Sequence, residues 1–231
     1  MSRRYLVQVA LDVVDEERAL RVAGAMGEGC RQGAFPCDRL VVEAGTPLIK
    51  AVGVRVLPKL KLASGGLTLY ADLKTADVGE LEASLAYDFG ADIASVLARA
   101  PMGTLKAFLE AGLKRGRLVA VDTIGIEARE VPFLVREIIR VAREIGFPLE
   151  KLVVELHRGI DEEASRQKYF EELGVAVNQI RELSPEVKIA VAGGITPAVK
   201  SLVEKLEPDI YVVGRYITQS PNVVERIKEF L

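Results

Sequence analysis

The chain has 231 residues, 49% of them hydrophobic and 28% charged, with a formal net charge of -2; this mixture buries a large core under a well-solvated surface and excludes a disordered chain. Its Lys and Arg residues are spread along the sequence, which argues against nucleic acid as the main ligand. No segment approaches the roughly 20 apolar residues that span a bilayer, so a soluble, cytoplasmic protein with no membrane partner is expected.

The N-terminal stretch MSRRYLVQVALDVV sets basic residues before an apolar run, but Asp12 and Asp15 interrupt it and no small-residue cleavage site follows. It reads as a first strand and not as a secretion signal. Apolar, β-branched runs then recur: Tyr5–Leu11, Arg39–Ala44, Leu67–Asp72, Ile93–Leu97, Leu118–Asp122, Leu152–Leu156, Lys188–Ala192 and Ile210–Val213. Helical periodicity separates them, as in Val78–Phe89, Gly103–Arg115, Pro132–Ile145 and Pro197–Leu206. Gly27–Asp38 reads as an enlarged connection before the second strand.

Eight near-continuous apolar strands alternating with amphipathic helices imply a parallel sheet covered by helices. In a chain of this length they fit one (β/α)8 TIM barrel over residues 1–231 better than an open doubly wound sheet, since such barrels run to about 250 residues. Cys30 and Cys37 have no His or further Cys nearby to complete a zinc tetrahedron. They are either free thiols or a short disulfide of the kind found inside hyperthermophile cells. Heat adaptation has slight support in the scarcity of Asn, confined to Asn178 and Asn222.

Chemistry in a barrel sits where strands end, and here the endings are polar: Asp12, Glu43, Asp72 with Lys74 and Asp77, Asp122, His157, Gly193-Gly194 and Gly214-Arg215. Alternation aims Asp72 and Lys74 to one side, as a structural ion pair or as catalytic groups. Asp77 either caps the next helix or takes part in catalysis. Glu43 and Asp72 would enter the same mouth from adjacent strands, where two carboxylates share a proton or bind a cation, and oxygen-only ligands with room for water suit Mg2+. Lys74 would add positive charge, to hydrogen-bond a developing oxyanion or to donate a proton.

His157 is the single histidine. At a strand end it suits a general base near neutral pH, although a lone His is often structural; Asp161 would orient it or cap the following helix. Gly193-Gly194 after strand seven and Gly214 after strand eight bring bare N–H groups, with the Arg215 guanidinium, to where barrels bind phosphate.

Several stretches together resemble the orotidine-monophosphate-decarboxylase suprafamily, on its 3-hexulose-6-phosphate synthase side. They are Leu11-Asp12, Glu43-Ala-Gly-Thr-Pro-Leu-Ile49, Ala71-Asp-Leu-Lys-Thr-Ala-Asp77, Gly90-Ala-Asp-Ile93, Val121-Asp-Thr-Ile-Gly125, His157-Arg-Gly-Ile-Asp161, Ala190-Val-Ala-Gly-Gly-Ile195 and Val212-Val-Gly-Arg-Tyr-Ile-Thr218. The resemblance implies a lyase that adds formaldehyde to ribulose 5-phosphate through an enediolate. It implies Mg2+ on Glu43 and Asp72, Asp12 and Lys74 at the reacting centre, His157 as base, and phosphate on Gly193, Gly194, Gly214 and Arg215. It further implies a homodimer with sites at the interface, Asp77 reaching the neighbouring subunit's site. Arg158 departs from the synthase pattern and matches the related 3-keto-L-gulonate-6-phosphate decarboxylases, the first alternative. Arg99, in place of a small residue, is expected to crowd or recharge the pocket. Orotidine-monophosphate decarboxylation is disfavoured by Glu43, and a barrel that binds a phosphometabolite without turnover is the non-enzymatic alternative.

Overall fold

A computed structural model describes residues 5–158 and 166–231; Asp161, proposed above to orient His157 or cap a helix, lies outside them. The parallel strands β1 (Leu6–Leu11), β2 (Leu40–Ala44), β3 (Thr68–Thr75), β4 (Ile93–Leu97), β5 (Leu118–Asp122), β6 (Leu152–His157), β7 (Lys188–Ala192) and β8 (Ile210–Val213) pair in chain order. The barrel closes through β8 on β1, with Leu6 opposite Ile210. The (β/α)8 TIM barrel expected from the sequence is the observed fold.

Helices α1 (Glu16–Arg31), α2 (Thr46–Val52), α3 (Val56–Ala63), α4 (Gly79–Asp88), α5 (Met102–Arg115), α6 (Val131–Glu144), α7 (Arg166–Leu183), α8 (Pro197–Glu204), α9 (Arg215–Thr218) and α10 (Val223–Lys228) follow the strands. Among the described residues no helix is long and apolar enough to cross a membrane.

Strand alternation sorts two cores. One register, including Val7, Val9, Leu69, Val121, Val154 and Leu156, packs outward against the helices. The other fills the barrel with Val41, Tyr70, Ile93, Ala120, Val153, Ala190 and Ile210. Burying each large apolar side chain contributes about 1.5–3 kcal/mol. Farther along the same inward register stand Glu43, Asp72, Ser95, Asp122, Glu155 and His157, and parity thus carries the polar groups to one mouth.

Two local expectations are corrected. Helix α1 continues through Gly27 and Gly29 to Arg31, so the connection to β2 is shorter than Gly27–Asp38. Both glycines mark close approaches: a Cβ at Gly27 would lie 2.6 Å from the Ser64 carbonyl oxygen, and one at Gly29 would lie 2.5 Å from the Phe35 ring. Asp77 does not cap α4, which starts after Val78 in a left-handed conformation with no side-chain cap; Asp77 Oδ1 accepts only from the adjacent Val78 N–H. Cys30 and Cys37 are free thiols.

Candidate active site

The strand ends surround a cavity of about 670 Å³. Asp12, Glu43, Asp72, Lys74, His157, Gly193, Gly194, Gly214 and Arg215 line it together. Asp77 is exposed on the β3–α4 connection and does not line this cavity.

Lys74 reaches the cavity through a backbone irregularity. The β3–β4 register shifts between Ala71 and Thr75, Lys74 takes φ 47°, and its N–H donates to Ser95 Oγ at 2.9 Å. Positive φ disfavours a side-chain-bearing residue, so this lysine is held there by its surroundings. Its ammonium pairs with Asp72 and stands 3.0 Å from Asp122 Oδ2. Burial opposes the charge, but Asp72, Asp122 and Glu155 outweigh it and hold Lys74 protonated.

Asp72 is fixed on both oxygens: Ser95 Oγ donates to Oδ1 at 2.8 Å and Thr46 Oγ1 to Oδ2 at 2.7 Å. Glu43 Oε2 accepts from Gln8 Nε2 at 2.8 Å. Burial, then the charges of Asp72, Glu155 and Asp12, push the Glu43 carboxyl well above the usual carboxylate range. Asp12 opens onto the cavity between two glycines; a Cβ at Gly45 would stand 2.2 Å from Asp12 Oδ1 and one at Gly214 3.6 Å from Oδ2. Its own carboxyl is raised by partial burial and by Asp72, against Lys74, His157 and Arg215.

His157 Nδ1 lies 3.0 Å from Asp122 Oδ2 and 3.5 Å from Glu155 Oε1. Burial works against its protonation, yet the Asp122 hydrogen bond and the charges of Asp122 and Glu155 raise its pKa. For Asp122 the sign is reversed: burial pushes the carboxyl up, and His157 with Lys74 outweighs it, holding it below the ordinary value. With Nδ1 committed to Asp122, the neutral ring leaves an Nε2 lone pair for the cavity.

In the loop that follows the adjoining strand β7, Gly193 and Gly194 take φ 110° and 70°. A Cβ at Gly193 would meet the Arg158 carbonyl oxygen at 2.6 Å, so only glycine lets the chain turn here. The bare loop lines the cavity together with Gly214 and Arg215, which follow the adjoining strand β8, an arrangement suited to an anion.

Arg158 lines the cavity and is buried, 5% exposed. Arg99 is corrected: it is absent from the cavity wall and pairs on the surface with Glu130 Oε2 at 2.5 Å. Glu155 was missed as a site residue because it sits inside an apolar run; its two-residue spacing from His157 is the signal that it shares the inward face.

Two donor sets are compatible with a metal. Glu43 and Asp72 offer oxygen alone, in a mouth where Asp12, Asp122 and Glu155 add further carboxylates to be balanced by Lys74, Arg158 and Arg215; a hard divalent cation fits that charge excess. The ligand atoms of Asp122, Glu155 and His157 also lie within 4.8 Å of one another, but Lys74 and the Nδ1 hydrogen bond already engage Asp122.

A family model described as orotidine 5'-phosphate decarboxylase / HUMPS family matches residues 5–230. The chain is 33% identical to a bifunctional enzyme Fae/Hps of Methanoculleus marisnigri over 97% of its own length and 51% of that protein. It thus spans about half the length of the bifunctional relative. It is also 33% identical to a 3-hexulose-6-phosphate synthase of Mycobacterium gastri, covering 96% of each chain. A crystal structure of a 3-hexulose-6-phosphate synthase superposes with a TM-score of 0.79 at 32% identity over 97% of both chains.

Proposed function

Since the chain belongs to the orotidine 5'-phosphate decarboxylase / HUMPS family, we propose that it is a 3-hexulose-6-phosphate synthase, a lyase that adds formaldehyde reversibly to ribulose 5-phosphate. The observation that carries this reading is the juxtaposition of His157, with Nδ1 bound to Asp122 at 3.0 Å, and the Lys74 ammonium beside the same carboxylate. A base and a positive charge on one cavity wall suit removal of a proton next to a carbonyl and storage of the resulting charge on oxygen.

The phosphate rests on the Gly193-Gly194 turn, Gly214 and Arg215, which places the ketone end of the sugar toward Lys74 and His157. His157 Nε2 takes the proton from C1, beside the ketone; Asp122 keeps Nδ1–H and stabilises the imidazolium. Lys74 stabilises the negative oxygen of the enediolate. C1 then bonds to the formaldehyde carbon as the formaldehyde C=O π bond opens and the enediolate returns to a ketone, and the former aldehyde oxygen takes the proton back from the His157 imidazolium as the hexulose is completed. Mg2+ held by Glu43 and Asp72 would supply, when bound, electrophilic polarisation of the sugar oxygens.

The partner implied is a second copy of the chain. Val78, Leu81 and Leu85 are exposed along α4, next to Asp77, and a homodimer covering them would bring Asp77 toward the neighbouring site. Equilibrium sedimentation tests it: a dimer is expected, and Leu81→Glu dissociates it.

One observation favours a second reading. Arg158 lines the cavity next to His157, and a positive charge there suits the carboxylate of 3-keto-L-gulonate 6-phosphate, whose decarboxylation would pass through the same kind of enediolate. Formaldehyde consumption with ribulose 5-phosphate, with magnesium and then with excess chelator, decides between them. Metal-dependent consumption is the expected result; carbon dioxide release from the keto-gulonate phosphate without formaldehyde consumption would establish the second reading.

A further inference from the structure

Asp122 holds the Nδ1 side of the His157 ring, and Glu155 stands beside it on that same side. Glu155 precedes His157 by two residues on β6, so both project into the barrel, and it is only 2% exposed. Its Oε1 lies 3.5 Å from His157 Nδ1. Its Oε2 accepts a 2.8 Å hydrogen bond from the Tyr70 hydroxyl, on a residue itself 1% exposed. Tyr70 lies two residues before Asp72 on β3, and a chain of contacts from Tyr70 through Glu155 to His157 therefore crosses the barrel beneath the cavity.

Packing does not call for a carboxylate at this place. The barrel interior below it is apolar, with Ala120, Val153 and Ala190 close along the neighbouring strands, and burying a carboxyl costs several kcal/mol unless it is paired. Tyr70 and His157 are the partners that offset the cost, and they also fix where the two oxygens point. With acceptors from both β5 and β6 behind the ring, a 180° flip would set a carbon against Asp122 and Glu155 and forfeit both contacts.

We propose that Glu155 is a positioning residue for the base: anchored by Tyr70, it closes the inner side of the imidazole together with Asp122, keeps Nδ1 inward and presents the Nε2 lone pair to the cavity. The assignment rests on the reading of His157 as the base. The other charged groups facing the ring are Asp122 on β5, Lys74 on β3 and Asp12 at the end of β1.

The single histidine of the chain makes the test direct, because one pair of ring nitrogen signals reports both tautomer and pKa. We would record them in histidine-labelled protein without substrate, over a pH series, and measure steady-state kinetics in parallel. In the wild type the neutral ring is expected to carry its proton on Nδ1. Glu155→Gln is expected to mix the tautomers and lower the ring pKa, with kcat down about tenfold and the sugar-phosphate KM within about twofold. Tyr70→Phe, which releases the anchor and leaves the carboxyl, is expected to move the same signals less, and it answers the question if the first variant fails to fold. Ring signals unchanged in tautomer and pKa in the folded variants would overturn the proposal, whatever the kinetics. Failure of the functional reading shows separately: a wild type that consumes no formaldehyde but whose ring signals still shift in the variants would retain Glu155 as the positioning residue of a different reaction.

Discussion

Lys74 Nζ stands 3.0 Å from Asp122 Oδ2 while also pairing with Asp72, so one ammonium joins carboxylates on β5 and β3, strands separated by β4 in the barrel. The two acids are buried, with side chains 0% and 4% exposed. Removing their common cation leaves buried charge uncompensated, which costs about 3–5 kcal/mol. Lys74→Met keeps the aliphatic stem and the same positive-φ backbone, which isolates the charge. Urea denaturation in the presence of chelator is expected to show that loss together with loss of turnover; an unchanged midpoint would mean the acids find another partner.

The proposed base ends β6 while the proposed phosphate contacts follow β7 and β8, and variants of these distinct residues should separate kinetically. His157→Ala is expected to lower kcat by about 10²–10⁴-fold while sugar-phosphate binding, followed calorimetrically, persists. Arg215→Ala is expected instead to raise KM by about tenfold or more, the value of a charge-assisted hydrogen bond. A change confined to kcat in the arginine variant would take Arg215 out of phosphate binding.

Burial and neighbouring carboxylates raise Glu43 well above the usual range. A metal bound there must displace that proton, so its affinity should increase with pH and its binding should release protons. Calorimetric titration with Mg2+ at pH 6 and pH 8, in two buffers of different ionisation enthalpy, measures both. Glu43→Gln is expected to abolish the pH dependence along with most of the affinity. A metal affinity identical at the two pH values in the wild type would place the ion elsewhere.

Burial, then the Asp122 charge, pushes Glu155 up to about 7, against the opposite pull of His157 and Lys74. A carboxyl raised in the folded state binds its proton more tightly there than in the unfolded chain. Its contribution to stability is therefore full below about pH 4.5 and fades as the pH rises through about 7. Glu155→Gln removes the fading, so relative to its parent it should gain up to about 3 kcal/mol between pH 5 and pH 8. Placing both in a His157→Gln background keeps the imidazole from titrating in the same interval. Equal differences in unfolding free energy at the two pH values would contradict the raised carboxyl.

The strands were legible because each is a short apolar run ending in a polar group, and once eight such runs close a barrel, their ends fall on one mouth. Glu43, Asp72, Lys74 and His157 could therefore be assigned to a common site before any contact was known. Gly27 and Gly29 suggest a loop because glycine weakens an isolated helix; contacts with Ser64 and Phe35, distant in sequence or across a turn, require them inside one. Asp77 failed as a cap because Val78 adopts a left-handed conformation that carries the chain past it. Arg99 turned outward because Glu130, from the next connection, offered a surface partner. Glu155 was hidden by its apolar neighbours, although strand parity pairs it with His157.

Cys37 opens the short turn that leads into the N-terminal end of β2, whereas the cavity opens at the C-terminal ends of the strands. Its thiol is exposed, while that of Cys30 is partly shielded and pushed up to about 12 by burial and by Cys37. A maleimide dye at mildly alkaline pH should therefore attach at Cys37 first, since the thiolate is the reacting form. The barrel thus carries its own attachment point on the face away from the cavity, suited to immobilisation or single-molecule fluorescence with the mouth left open.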